Sequence, residues 1–532
     1  MKNIVLCADG TGNKGGYGND TNVYKVYKAV DIHHNGIQQI GIQQITFYDQ
    51  GVGTEKSDTN KNKYLTALSA AFGFGFQHNV RDLYKSLVRS YNIGDSIFLF
   101  GFSRGAATVR ALTGFIHHCG LIDRNHPKLQ TNGVFDDEKF KQLVDEAIKC
   151  YQVKGKKADD FKEKYAIKDN EYAPGGNLKI KFIGVWDTVS ALGFPKDFSM
   201  AFELFFKLVD KLSDYIWPHN FYDYDLNPSI ENAYHAISID DERKTFHPMI
   251  WNESKTNGHV EQVWFAGVHS NVGGGYPRTG LSDIALEWII TKAQAHGLIF
   301  YQSHKDQISG SANKNDRLYN SRDGVAIYYR YSPRDLESLC EGKLKDNNKI
   351  AIHKSAYEKI KDVCDPYAPN GLPISFDVVG LNPNYPFKPT TIHTPSVDQG
   401  NIEQWDALKA EENKYIKSRE ILYRLFVELT LLIFIVAGYF WIWGIPESLK
   451  HNETLPETPY LVKLADFLNY ITPVYFENFI TVVVCNYPII FFSMLAILFI
   501  MSSLSKFFTK KLRDVCRKLC NLVPILSIEK KS

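Results

Sequence analysis

The first half of the chain alternates short apolar runs with longer stretches of helical periodicity. Residues 4–8 are unbroken apolar, the pattern of a strand covered on both faces. Residues 22–30 read as a helix and 45–48 as a strand. Residues 80–90 read as a helix that stops before Gly94. Residues 97–100 form another strand, with a helix-forming run directly after Ser103, and 178–186 and 260–267 are two more strands. Strands separated by helices predict a mostly parallel sheet with helices on both faces, an α/β architecture. Two segments interrupt the alternation. Residues 124–177 are charged and helix-prone, and 195–228 are rich in Phe, Tyr and Trp; both are candidates for a cap.

Beyond residue 375 the pattern changes. Residues 425–445 are apolar except for Glu428 and Thr430, and 480–504 carry no charge. Each run is long enough to cross a hydrocarbon layer, which takes about 20 residues. Lys414, Lys417, Arg419 and Arg424 precede the first run, and Lys506, Lys510, Lys511, Arg513, Arg517 and Lys518 follow the second. The segment between them is acidic on balance. The bias places both ends in the cytoplasm and the loop outside, as in a protein passing twice through the inner membrane. In the tail, Phe508, Leu512, Val515, Leu519 and Leu522 fall on one helical face among basic residues, which predicts a helix lying on an anionic leaflet. The expected organisation is a catalytic domain over 1–375, a linker over 376–420, a transmembrane hairpin over 421–505 and a basic amphipathic tail over 506–532.

Composition narrows the picture. Of 532 residues 44% are hydrophobic and 23% charged, and the net charge is +2, which gives no ground for a nucleic-acid partner. The 8 cysteines are scattered, a distribution that fits a reducing compartment better than a disulfide framework. The opening apolar run is too short and too soon broken for a signal peptide.

The chemistry is concentrated in Gly101-Phe102-Ser103-Arg104-Gly105. A strand runs into this G-x-S-x-G turn and a helix leaves it, so the serine hydroxyl is lifted clear of the sheet. A serine needs a base, and the base an orienting acid. In this chain order the acid comes next, then the histidine. One strand ends in Asp187-Thr188-Val189; another delivers His269 into the glycine-rich Gly273-Gly274-Gly275, a loop suited to a mobile but placed base. The oxyanion donors are expected to be the backbone N–H of Arg104 and a donor from the Gly10-Thr11 loop after the first strand. Gly10, Gly12 and Gly15 also spell a dinucleotide fingerprint, but the last glycine does not open a helix. Asp240-Asp241-Glu242-Arg243 reads as a solvated turn with an ion pair, with Asp241 the fallback acid. His33-His34 reads as surface and His117-His118 as a helix cap. No cluster has metal-ligand spacing, so neither a metal nor a cofactor is expected.

Taken together, Asp9-Gly10-Thr11-Gly12-Asn13, Gly101-Phe102-Ser103-Arg104-Gly105-Ala106, Val185-Trp186-Asp187-Thr188-Val189 and Gly267-Val268-His269-Ser270-Asn271-Val272-Gly273-Gly274-Gly275-Tyr276 resemble the DUF2235 α/β-hydrolases, which include the Tle1-like phospholipase effectors of type VI secretion. The resemblance covers about residues 1–375. It implies Ser103, Asp187 and His269 as a catalytic triad and phospholipid acyl esters as substrates. It is joined by a bilayer as partner, and the hairpin leaves room for a homo-oligomer or a partner protein. A membrane-bound esterase acting on other esters is the alternative within the enzyme class. A membrane-perturbing toxin or sensor that keeps the hydrolase fold as scaffold is the alternative outside it, and the complete Ser-Asp-His set argues against that.

Overall fold

The computed structural model describes residues 1–33, 42–51, 76–168, 178–190, 222–255, 258–345, 348–362, 367–380, 390–393, 395–445 and 459–524. The strands in chain order are β1 (Lys2–Ala8), β2 (Gln43–Asp49), β3 (Ser96–Phe102), β4 (Gln130–Thr131), β5 (Val134–Phe135), β6 (Phe182–Trp186), β7 (Asn232–Ser238), β8 (His259–Phe265), β9 (Ala351–His353), β10 (Asp377–Gly380) and β11 (Thr390–His393). β4 and β5 make a small hairpin. The other nine form one sheet in the order β11-β10-β9-β8-β7-β6-β3-β1-β2. All its neighbours run parallel except β10 and β11.

Alternating side chains of β1 explain the layering. Ile4, Leu6 and Ala8 join the core that holds Val80, Leu83 and Leu87 of the helix Phe76–Ser90 and Ala107 and Leu112 of the helix Arg104–Cys119. Val5 and Cys7 point the other way, onto Val23 and Val26 of the helix Asn22–Ala29 and Leu286 and Ile289 of the helix Gly280–Ala295. Parallel strands covered on both faces must be apolar throughout, which is why these runs stood out in the sequence. The charged insertion supplies the helices Asp137–Val153 and Lys156–Tyr165, whose Phe140, Leu143, Val144 and Phe161 sit in the first core. The aromatic segment lies outside the described residues apart from its end, where Tyr222 and Tyr224 pack against Phe76 at ring distances of 5.2 and 6.1 Å.

Two expectations about the C-terminal third are corrected. Residues 376–420 are not a linker: β10 and β11 extend the sheet there, and the helix Ile402–Trp443 begins. The tail does not lie free for a leaflet. It completes the helix Pro488–Leu522, whose Leu512, Val515, Cys516, Leu519 and Cys520 are buried, most of them in a core shared with Ile237, Trp264, Leu336, Trp405 and Leu408. The apolar face seen in the sequence is used up by the protein itself. The Lys361 ammonium caps this helix end by donating to the Cys520 and Val523 carbonyls.

Both long helices are apolar enough to cross a membrane; 17% of the apolar stretch of the first and none of that of the second is buried. The second uncharged run is broken. A helix Glu477–Thr481 and a wide turn Val482–Asn486 precede Pro488, which, lacking an N–H, suits a first helical position.

Candidate active site

The strand register brings five loops to one edge of the sheet. Ala8 pairs with Gly101, Phe102 with Trp186, Trp186 with Ala236, and Ser238 with Phe265. The carboxyl ends of β1, β3, β6, β7 and β8 therefore lie side by side. The chain reverses its direction of sheet growth between β1 and β3, where such sheets open a crevice.

Ser103 is the first residue past β3. It sits at φ 58°, a left-handed conformation that costs a side-chain-bearing residue energy. Its neighbours hold it there. The Ser103 N–H donates to the Trp186 carbonyl at 3.1 Å. A Cβ on Gly101 would lie 2.6 Å from Ala106 Cα, and one on Gly105 would lie 2.2 Å from the Ala8 carbonyl oxygen. The helix can leave the strand this sharply only if both glycines lack side chains.

Asp187 follows β6 at once and is also left-handed, at φ 37°. It is fully buried, and four donors meet its carboxylate. The Ser238 N–H reaches Oδ1 at 2.9 Å. His269 Nδ1 lies 2.5 Å from Oδ2. Arg334 places Nη1 2.6 Å from Oδ1 and Nη2 2.9 Å from Oδ2. Burial alone would push this carboxyl up; the Arg334 guanidinium and the bonds from His269 and Arg334 outweigh it and hold it well below the usual carboxylate range. Arg334 also donates to the carbonyls of Ser238 and Phe246. The sequence offered no signal for this residue, an isolated arginine in Ser332-Pro333-Arg334-Asp335.

His269 opens the short helix His269–Gly273 after β8. Its ring is held between Phe102 at 4.6 Å and Phe246 at 4.9 Å. Burial lowers its pKa, and the bond and charge of Asp187 oppose that only in part, so the imidazole is neutral near pH 7. The structure thus joins His269 to Asp187 directly and sets Ser103 on the adjacent strand end, next to the Phe102 ring that packs on the imidazole. Among the described residues no hydrogen bond reaches Ser103 Oγ.

The Asp240–Arg243 turn is not solvated. Asp241 is buried; it pairs with Arg243 at 2.7 Å and accepts the main-chain N–H of His269 at 3.2 Å. It fixes the backbone of His269 rather than its ring, so it is not an alternative acid. Asp240 accepts the Gly267 N–H at 2.6 Å and the Tyr367 hydroxyl at 2.7 Å, and burial raises its pKa to about 7. The glycine-rich loop serves packing rather than mobility. A Cβ on Gly273 would strike the Phe102 ring at 1.9 Å, and one on Gly274 would meet Asn22 N at 2.7 Å.

Of the expected oxyanion donors, Arg104 opens the helix Arg104–Cys119, so its main-chain N–H belongs to the first turn, where N–H groups point out of the helix end. Gly10 is corrected: its N–H is already bound to Asp9 Oδ1 at 2.7 Å. What Gly10 provides is proximity, since a Cβ there would lie 3.1 Å from Ser103 Cβ. Thr11 remains on that loop, with a buried hydroxyl that has no partner among the described residues. His117 and His118 occupy the last turn of their helix. Among the described residues no group of three His, Cys, Asp or Glu side chains is placed to hold a metal.

A family model described as "T6SS, Phospholipase effector Tle1-like, catalytic domain" matches residues 2–292. The uncharacterized protein YEL023C of Saccharomyces cerevisiae is 30% identical over 204 residues, which is 37% of this chain and 28% of that protein. An uncharacterized protein from Pseudomonas aeruginosa of known crystal structure shares 17% identity at a TM-score of 0.31, over 62% of this chain and 50% of its own. The Tle1 effector bound to the VgrG spike from the Type 6 secretion system shares 12% identity at a TM-score of 0.34, over 74% of this chain and 90% of its own. The match thus spans about a quarter of the yeast protein and half of the Pseudomonas one. With more than half of its length inside the family model, the chain belongs to the Tle1-like phospholipase effector catalytic domain family.

Proposed function

We propose that this member of the Tle1-like family is a membrane-anchored serine hydrolase that cleaves acyl esters of phospholipids. The observation that carries the reading is the 2.5 Å contact between His269 and the buried Asp187 carboxylate, beside a serine held at φ 58° on the neighbouring strand end. Ser103 Oγ attacks the ester carbonyl while His269 Nε2 takes its proton. Asp187 fixes the tautomer through Nδ1–H and stabilises the imidazolium. The backbone N–H groups of Arg104 and Thr11 receive the developing oxyanion; each such donor supplies about 3 kcal/mol. The imidazolium returns its proton to the leaving lysophospholipid alcohol, and water then frees the fatty acid from Ser103 by the same steps in reverse order.

The two long apolar helices are read as membrane spans with the catalytic domain and both termini on the cytoplasmic side of the inner membrane. A tether of this kind replaces three-dimensional search by a high local concentration of substrate. Alkaline carbonate is expected to leave the chain in the membrane pellet.

The test is hydrolysis of position-labelled phospholipids by the full chain in detergent. Ser103→Ala is expected to lower kcat by at least about 10,000-fold with an unchanged membrane pellet. Fatty-acid release persisting in that variant would remove Ser103 as nucleophile. Release from a soluble short-chain ester but from no phospholipid would instead favour an esterase with other substrates.

A further inference from the structure

The helix Pro488–Leu522 leaves its uncharged run at Ser505 and at once presents four cations along one face, which borders an open groove. Lys506, Lys510, Arg513 and Arg517 line this space of about 460 Å³, with Asp514 as its one carboxylate. None of the four is in an ion pair among the described residues. An excess of positive charge beyond a span is what orientation alone demands. Orientation does not demand that the charges share one groove, nor that the groove continue inward.

It does continue. Thr509 and Arg513 also line a larger cavity of about 720 Å³, whose walls include Arg317, Arg419, Asp240, Glu242, Asp316 and Val268. The acids on this wall are already engaged. Glu242 is paired with Arg419 at 3.1 Å. Asp316 accepts the N–H groups of Gly280 at 2.9 Å and Arg317 at 2.8 Å. Asp240 is tied to the Gly267 N–H and the Tyr367 hydroxyl. The guanidinium groups of Arg317 and Arg513 carry charge that no described carboxylate neutralises, a setting that favours an anion.

Position narrows the anion. At 1.5 Å per residue, Lys506 and Lys510 stand about 3 and 9 Å past Leu504 along the helix. The headgroup layer of one leaflet is about 5–7 Å thick. Lys506 therefore lies within that layer; Lys510 stands just past it, and its long side chain can snorkel back toward the phosphates. We propose that the groove from Lys506 to Arg513 is a binding site for the phosphate of an anionic phospholipid, separate from the active site. The site rests on reading this helix as a membrane span. The larger cavity, which shares Thr509 and Arg513 with the groove, also touches Val268, the residue before His269.

The experiment is titration calorimetry on the detergent-solubilised full chain carrying Ser103→Ala, so that no lipid is consumed. Short-chain phosphatidylglycerol, short-chain phosphatidylcholine and inorganic phosphate are the three probes. Phosphatidylglycerol is expected to show a binding component that phosphatidylcholine lacks, weakened at least about tenfold by Lys510→Ala with Arg513→Ala and by raised salt. Arg513→Lys is expected to retain most of it. Inorganic phosphate matching that affinity would assign the site to the free anion and overturn the lipid; weak phosphate binding supports the lipid. Equal isotherms for the two lipids, or a component indifferent to salt and to the double variant, would overturn the site. Salt dependence is read on the unaltered groove, so a misfolded double variant does not mask the result. The isotherm needs no bilayer, so it separates the groove from the spans, whose failure shows only in carbonate extraction.

Discussion

Arg334 changes what Asp187 can do for His269. In the proposed triad, an acid that faced only an imidazole would lend it a full negative charge; here a guanidinium shares both carboxylate oxygens, at 2.6 and 2.9 Å. The imidazolium is stabilised less, and burial has already lowered its pKa. The acidic limb of kcat/KM is therefore expected below the ordinary imidazole value of about 6.5. Removing the guanidinium raises the pKa of the base, so Arg334→Gln should move that limb to higher pH, while Arg334→Lys should move it less. A limb unmoved by Arg334→Gln would reduce Arg334 to a structural tie. The same variant leaves a buried carboxylate half-satisfied and should lower stability by about 3–5 kcal/mol, measured by denaturant unfolding. Because the folded pKa of Asp187 is depressed, the stabilisation is complete above about pH 4 and drains away as pH falls toward the folded value. That Ser103, Asp187 and His269 lie along one sheet edge was readable from local pattern, because Ser103 and Asp187 directly follow apolar strands and His269 comes a few residues after one; their catalytic roles are the proposal made above. Arg334 reaches Asp187 across 147 residues from a loop with no periodicity; only the folded chain puts them together.

Elements were legible in proportion to how apolar they are. β1, β3, β6 and β8 read as buried strands because both faces are covered. β7, Asn-Ala-Tyr-His-Ala-Ile-Ser, did not, although it lies in the middle of the sheet. Two of its polar residues face the site: His235 Nε2 accepts the Thr188 N–H at 3.2 Å, and Ser238 binds Asp187 and Arg334. A strand that serves a polar site loses the pattern that would reveal it. The glycines flanking Ser103 make a sharper prediction. A methyl on Gly105 would lie 2.2 and 2.4 Å from the carbonyl oxygens of Ala8 and Asp9, main-chain atoms at the end of β1 that cannot swing aside as a side chain would. Gly105→Ala is expected to cost about 3 kcal/mol or more and, by displacing Ser103 about 1 Å, to lower ester turnover about 100-fold. Gly310→Ala is the control. That glycine lies in the helix Gln302–Ser311 with nothing within 4 Å of the added carbon, so the change should stabilise by about 0.5–1 kcal/mol.

At the scale of the molecule, the α/β fold and one end of each of the two long helices share a core. The sequence suggested a domain ending near residue 375, because the linker and the tail look polar when read one at a time. Their apolar positions meet only in three dimensions, where Trp405, Leu408, Val515, Leu519 and Val523 close the core around Ile237, Trp264 and Leu336. Burying each such side chain contributes about 1.5–3 kcal/mol, so together they supply on the order of 10 kcal/mol, comparable to the whole net stability of an ordinary domain. Polar ties add direction: Arg419 bonds Glu242 and the Tyr331 hydroxyl, Tyr423 donates to the Tyr328 carbonyl, and Tyr357 donates to the Pro524 carbonyl. A chain cut at residue 395 is therefore expected to aggregate rather than to become a soluble hydrolase. A chain in which residues 425–504 are replaced by a short flexible loop keeps both packed helix ends and should remain folded, soluble and active on short-chain esters. Sedimentation and thermal unfolding of the two forms decide the matter. A well-folded product from the first cut would show that the helix ends only rest on the domain, whereas recovery of only the second would show that they complete it.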